Sequence, residues 1–531
     1  MSLTKSTNWP SAVALLIAVS VFGCSSDGSD SEKVFVRASD SNPTTLMPNL
    51  VYETGGTEIA RDAYEGLMAM GSNGKLQLGT AANFEVTNGG RTYVFEIRED
   101  AKWSNGDSVT AEDYVRGIRF AANPYNSARQ ANLLSPLANY QAVREGSASL
   151  SDLGVKALSA REIQFDLEYP APYLLAILEN PLAYPLHASA ENTGNTQEPV
   201  PTNGAYTFSN VRPGIDIELR KNPNYYAADS VKIQKVRYVL SQDQTAVFNQ
   251  FRSGSIHLTA SVPTSLIEIA RQLENGTYYE SPQLAVYYYA FNTSQPPLDD
   301  IRARRALDIA VDRNQLVSLV LASGQLPATA PVPPYTPGFE QFERDTKFYG
   351  SETAIAEAQS LFRELGYSDD RKMAIRLLFN TGSDHRRIAQ YVASEWESSL
   401  PVEVELWNQE FRVLLDTHKD KSAWEVIRSS WSADIPDAEN FLTIFSSNSE
   451  NNISGVRSSV FDDQLAKAHR ETDPNRRNQI FLEAENTLLS EHANLFLYYY
   501  SDRRLLSKSV TEFAPNPIGV IRTQHLGWST F

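Results

Sequence analysis

The chain has 531 residues, with 64 acidic against 47 basic side chains and a net charge of −17. That surplus of negative charge excludes nucleic acid as a partner, since a phosphate backbone calls for a basic face. The length predicts two or three domains and a core large enough to hold without disulfides, and the single cysteine offers none within the chain.

Residues 1–23 carry one basic residue, Lys5, ahead of an apolar run from Ala12 to Phe22. The run is short for a bilayer, which takes about 20 residues, and reads as the apolar core of a secretory signal over 1–23. Val21-Phe22-Gly23-Cys24 looks like a bacterial lipobox, so Cys24 is the expected site of lipid attachment. The other reading of a lone cysteine is a buried free thiol. Residues 24–31, rich in Ser, Asp and Gly, then form a flexible tether.

Strand and helix signals alternate from there on, which predicts an α/β fold. Val34–Ala38 reads as a short strand and Thr92–Arg98 as a half-buried one. Asn105-Gly106 supplies a positive-φ pair for a tight hairpin. Thr110 then caps a helix, with Asp113 three residues on to answer it. Ile215–Leu219 alternates, and Val231–Leu240 continues that sheet character. Ile301–Ala322 has helical spacing, Pro331–Gly338 is a rigid loop, and Thr353–Leu365 is a helix ended by Gly366. Phe461–Leu489 holds two helices broken near Asp473-Pro474. Tyr287–Tyr289 and Tyr498–Tyr500 look like strands whose alternate residues face opposite ways.

The run Ala101-Lys102-Trp103-Ser104-Asn105-Gly106-Asp107-Ser108-Val109-Thr110-Ala111-Glu112-Asp113-Tyr114-Val115 closely resembles the signature of the peptide- and nickel-type solute-binding proteins of ABC importers, family 5. Weaker pieces follow in the family's order, among them Thr202-Asn203-Gly204-Ala205-Tyr206, Ile301–Leu307, Asp312-Arg313 and Trp431-Ser432-Ala433-Asp434. Together they are most similar to the oligopeptide-binding (OppA-like) branch. The resemblance implies a two-lobed periplasmic-binding-protein fold (type II, cluster C) with an extra inserted domain. It maps the first lobe to 32–64, 185–283 and 501–531, the extra domain to 65–184 and the second lobe to 284–500. It implies capture of an oligopeptide on the periplasmic or extracytoplasmic side and delivery to ABC permease subunits, by a monomer held at the membrane through Cys24 and needing no cofactor.

A free peptide carries an ammonium at one end and a carboxylate at the other, and a protein that encloses it must pair both. By the resemblance, Asp434 falls where relatives hold the ammonium; otherwise it would read as a loop acid or a helix cap. Arg428, six residues earlier, matches a position that meets the carboxylate of short peptides, and its planar fork suits that task. His385 and Asn380 match positions near the ligand's C-terminal end. Trp431, Tyr288 and Tyr500 are candidates to line side-chain pockets, with aromatic core as the competing reading for the tyrosines. Glu53 sits near an edge segment that meets the ligand, and Asn451 completes the candidate set. His418 or Lys419 stands where relatives have a second arginine, and Ala290 where relatives can have a glutamate. Ala285 and Ser432 occupy positions at which some relatives pair two cysteines.

No His-Glu-x-x-His helix, Gly-x-Ser-x-Gly elbow or phosphate-binding loop occurs, so the chain is not expected to be an enzyme. Seven scattered histidines lack metal spacing. The competing readings are the same fold binding another solute (a dipeptide, a murein peptide, a haem or a nickel chelate), an exported peptidase, or a ligand-sensing partner of a receptor.

Overall fold

A computed structural model describes residues 33–192, 198–339 and 344–529. The secretory signal, Cys24 and the tether expected at 24–31 lie outside the described residues.

Three sheets organise the chain. In the first, Val34–Ser39 runs parallel to Lys235–Leu240, which pairs antiparallel with Asp216–Lys221 and through it with Tyr206–Arg212. Lys235–Leu240 buries every second residue, and Phe35, Ile217, Leu219, Val236 and Tyr238 join one apolar core beneath it. The second sheet is antiparallel, in the order Ala81–Thr87, Thr92–Ile97, Glu162–Asp166, Val155–Ala157. Helix Ala111–Ala122 packs on it through Tyr114, Val115 and Ile118, with Trp103 in the same core. The third has six strands, in the order Leu326–Pro327, Asn494–Ser507, Gly276–Phe291, Val426–Ser432, Met373–Asn380, Val402–Gln409.

Two long strands join the first and third sheets. Gly276–Phe291 and Asn494–Ser507 pair antiparallel from Gly276↔Ser507 to Pro282↔Ser501, slip register, and resume from Val286↔Tyr499 to Ala290↔Asn494. At the first-sheet end, Leu258 bridges Arg37 of the edge strand to Leu506. The fold is two-lobed, and this strand pair carries hydrogen bonding from one sheet into the other.

The signature run has a local physical cause. The Asp113 carboxylate accepts from the Thr110 N–H at 2.9 Å, the Thr110 hydroxyl at 3.0 Å and Trp103 Nε1 at 3.1 Å, and it pairs with Arg116. One acid thus caps the helix and ties it to the preceding turn. That turn corrects the expected positive-φ pair. Only Gly106 is left-handed, at φ +95°. The Gly106 N–H bonds Trp103 O and the Trp103 N–H bonds Asp107 O, so the loop has three residues and the glycine takes the left-handed position. In Thr202–Tyr206 the glycine answers a close approach instead. A Cβ on Gly204 would stand 2.7 Å from the Ala63 and Tyr64 backbone, while Asn203 exchanges hydrogen bonds with the Glu65 backbone at 3.1 and 2.8 Å.

The helix expected over 301–322 is broken. Ile301–Ile309 ends, a short turn Arg313–Gln315 restarts, and Leu316–Leu321 widens into a π-helix. Buried Arg313 donates to the Asp308 and Val311 carbonyls, satisfying the helix end. Asp312 accepts from the Asn314 and Gln315 N–H groups and begins the next turn. Strand character at 231–240 starts only at Lys235. Thr353–Leu365 is realised as Glu352–Glu364, and the paired helices as Ser459–Arg470 and Pro474–Ser490, with Asp473 capping the second.

Candidate functional site

Strand Val426–Ser432 lies between Gly276–Phe291 and Met373–Asn380 in the six-stranded sheet, with Arg428 opposite Tyr289 and Ser432 opposite Ala285. The two positions at which relatives pair cysteines are therefore direct cross-strand neighbours. Beyond Ser432 the chain turns. The Ala433 N–H donates to Leu284 O and the Asp434 N–H donates to Asn440 Oδ1, at 2.9 and 3.0 Å. Held in this way, Asp434 lines a cavity of about 210 Å³. Tyr52, Thr54 and Thr57 form one wall, Gln130, Glu179 and Asn180 a second, and Gln283, Leu284, Ser432 and Ile435 a third.

Four charged side chains line this cavity, and three are neutralised. Glu58 pairs with Arg37 and Arg504, each at 3.0 Å. Arg61 grips Glu179 bidentately at 2.9 and 3.1 Å. Asp434 has no cationic partner among the described residues. Its side-chain bond comes from Gln130, Nε2 to Oδ1, at 2.6 Å. Burial pushes the Asp434 carboxyl above its ordinary range, and the bond from Gln130 only partly opposes this.

A second cluster forms around Arg428, which is 7 % exposed. Its guanidinium lies 4.8 Å from the Tyr287 ring centre, and Nη2 donates to Ser430 Oγ and the Tyr500 hydroxyl at 3.1 Å each. Nε has no acceptor. Tyr287 stacks on Tyr498 at 4.8 Å and on His385 at 5.6 Å. Burial pushes His385 down to about 4, and the Arg428 charge adds to the effect, so its imidazole is neutral at pH 7. No carboxylate faces Arg428 among the described residues. Arg428 and Asp434 are six positions apart in the sequence, so their backbones lie at most about 20 Å apart.

Trp431 and Asn451 line a third space, a cavity of about 330 Å³ that also meets Tyr169, Tyr173 and His469. Trp431 Nε1 donates to Asn440 Oδ1 at 3.0 Å, the oxygen that also holds the Asp434 N–H. Ile435 borders both cavities.

The structure thus gathers Arg428, His385 and Tyr500 in one place, ties Trp431 and Asp434 to the same Asn440 oxygen, sets Asn451 in the cavity that Trp431 lines, and leaves other candidates apart. Tyr288 does not reach the cavities. It is 1 % exposed and packs against Phe445 and Phe496, because its neighbours Tyr287 and Tyr289 take the opposite face of the strand. Glu53 precedes helix Thr54–Ala63 with both carboxyl oxygens buried and unpartnered, but it does not line the Asp434 cavity. Asn380 is buried at the end of its strand, bonding only the neighbouring Thr381 carbonyl. His418 lies beside the strand that carries Arg428. Burial lowers its pKa, and Nε2 donates to the Arg428 carbonyl at 3.2 Å. Gln130 and Asn440 were not singled out in the sequence, since neither belongs to a motif with its own spacing, and Tyr287 and Tyr498 were read there only as strand residues.

Residues 75–453 match the profile of the bacterial extracellular solute-binding proteins, family 5 (middle). The chain belongs to that family. It is 32 % identical over 482 residues to the periplasmic oligopeptide-binding protein OppA of Escherichia coli K12, covering 90 % of this chain and 88 % of that protein. The unliganded open form of the murein tripeptide-binding protein MppA superposes with a TM-score of 0.81 at 29 % identity, over 94 % of this chain and 97 % of that one. Haemophilus influenzae OppA in complex with the peptide RPPGFSPFR gives 0.79 at 27 % identity, over 94 % and 99 %. These relatives are binding proteins rather than enzymes. Among the described residues no cluster of His, Cys, Asp or Glu is fit to hold a metal ion, and no helix is long and apolar enough to cross a membrane.

Proposed function

We propose that this family 5 protein captures oligopeptides between its lobes on the extracytoplasmic side and hands them to an ABC importer. The observation that carries the reading is the lone Asp434 carboxylate. It is half-buried, its pKa is raised, and every other charged group in its cavity already has a partner. A cavity short of one positive charge suits a ligand ammonium. Arg428, without a carboxylate of its own, suits the opposite end of a zwitterion of a few residues. Haem, bile acids and other ligands charged only by carboxylates leave Asp434 unmatched, so a peptide is the better fit. Its length follows from which of Arg428 and His385 its C-terminus reaches.

The division into lobe I (32–64, 185–283, 501–531), an extra domain (65–184) and lobe II (284–500) is part of this proposal. Separate apolar cores and the register slip at Pro282–Val286 support it. So is attachment of a monomer to the membrane through lipidated Cys24. There, Cys24→Ser should abolish fatty-acid labelling and release the protein to the soluble fraction; persistent labelling rejects the anchor.

The ligand reading is tested by a double cycle of Asp434→Ala against N-acetylation of the peptide. Stranding one charge of a buried pair costs roughly 3–5 kcal/mol, so Asp434→Ala should weaken binding by about two to three and a half powers of ten. Acetylation should cost wild type a similar amount and add little in the variant, because both changes remove one contact. Equal affinity of wild type for free and acetylated peptides, measured by calorimetry, would sink the assignment.

A further inference from the structure

Tyr169 and Tyr173 follow strand Glu162–Asp166, in the part of the chain assigned to the extra domain. Both rings meet side chains of the second lobe. Tyr169 stacks on His469, with ring centres 5.2 Å apart and planes 12° from parallel. The Arg477 guanidinium lies 5.5 Å from the Tyr173 ring centre, and the two tyrosine hydroxyls are 3.3 Å apart. Arg477 also grips Asp437 bidentately at 2.9 and 3.0 Å and reaches Glu439 Oε2 at 3.0 Å. His469 Nε2 stands 3.0 Å from Glu439 Oε1. Three helices supply this group: Ala438–Leu442, capped by Asp437, carries Glu439; Ser459–Arg470 carries His469 in its last turn; Pro474–Ser490 carries Arg477. Tyr169, Tyr173 and His469 line the cavity of about 330 Å³, and none of them lines the Asp434 cavity.

The charges of this group balance only when His469 is protonated. Two cations, His469 and Arg477, then face two carboxylates, Asp437 and Glu439. A neutral His469 leaves one negative charge in excess beside two aromatic faces, which are themselves electronegative. An imidazolium against the Tyr169 face gains instead from the ring quadrupole, and its place in the last turn of a helix favours the charge. Burial opposes that charge, but the Glu439 carboxylate, assisted by Asp437, outweighs burial and the Arg477 charge, so the His469 pKa stands above its ordinary value. On the facing segment, Glu168 beside Tyr169 accepts from the Asn139 N–H at 2.8 Å. On the helix of His469 itself, Lys467 and Arg470 are exposed. We propose that His469 is a positioning residue: protonated, it clasps Tyr169 and so holds the wall that carries Gln130 and Asn180 against the wall that carries Asp434. This rests on the reading that a ligand is enclosed between these walls, and it adds a control on the ligand's escape. The sign follows from the raised pKa. The clasp is complete below the ordinary histidine range and is lost as pH rises through the raised value.

The test uses the full mature protein and a pool of tetrapeptides with free termini and one dansyl-lysine. Bound probe is chased with unlabelled peptide in a stopped-flow instrument, between about pH 6 and about pH 9, a range that brackets the ordinary histidine value. The ligand ammonium also loses its proton in this range, so each variant is read as its off-rate divided by that of wild type at the same pH. His469→Gln should release the probe roughly threefold to tenfold faster at the acid end, the worth of a cation–aromatic contact, and the ratio should fall towards one at the alkaline end. His469→Arg keeps a charge that stacks on an aromatic face and pairs with a carboxylate. Its ratio should stay near one at the acid end and drop below one at the alkaline end. In a Tyr169→Leu background, adding His469→Gln should change the off-rate little at any pH, because both substitutions remove one contact. A His469→Gln ratio of one throughout overturns the clasp. So does a ratio raised by the same factor at every pH, because a merely structural loss does not follow the proton. If wild type binds none of the free peptides, the enclosure reading itself fails, and this inference with it.

Discussion

Asp434 and Arg428 are proposed as ligand contacts because of their surroundings rather than their residue type. Nothing in the type or spacing of either distinguishes it from a surface ion-pair partner; what matters is that each is enclosed and lacks its counter-ion. The energetic consequence has a definite sign. Burial raises the Asp434 pKa in the ligand-free protein, so a folded state with the carboxylate ionised is penalised above that pKa and relieved as pH falls through it. A bound ammonium reverses the balance and pulls the same pKa down. Peptide affinity should therefore be full above the raised free-state pKa and decline as pH falls through it, with proton release on binding in that window. Calorimetry from pH 7 to pH 4 measures this, and Asp434→Asn should abolish the slope; a slope that survives in the variant assigns the titration elsewhere. His385, already neutral down to about pH 4, does not supply it.

At the scale of elements, the motifs that identify the family are mostly structural. Asp113 unites a helix cap, an indole and an arginine. Arg304 is buried and donates to the Leu298, Asp299 and Glu491 carbonyls, and Arg313 likewise closes a helix end. These constraints are local or involve backbone groups, which is why short segments reveal them. Alternation exposed the strands at 92–97 and 235–240. Periodicity missed the break after Ile309, because helical spacing continues through Asp312-Arg313 while the capping side chains interrupt the hydrogen-bond ladder. Alternation also correctly opposed Tyr287 to Tyr288, but it could not say that both faces of that strand are covered by core. Coverage depends on what the rest of the chain places on each face.

For the whole molecule, the feature that matters is the pair of strands that joins the sheets. Strands Gly276–Phe291 and Asn494–Ser507 carry the pairing from one sheet into the other, with the register slip between Pro282 and Val286 beside the Asp434 cavity. An irregular strand crossing bends more readily than a regular ladder, and a ligand that touches both walls favours the closed arrangement. Peptide should therefore reduce the radius of gyration in small-angle scattering and raise the melting temperature with occupancy. Tight binding with neither change argues against enclosure between lobes.

The order of motifs along the chain determined the family and the two-lobed α/β architecture, because those rest on residue identity and on contacts close in sequence. Only the tertiary structure decided that Asp434 lacks a cation among the described residues, that Arg428 shares its surroundings with Tyr287, His385 and Tyr500, and that Gln130 meets Asp434 from 304 positions away. Burial and pairing are properties of the enclosure that distant segments build together, and no single segment carries them.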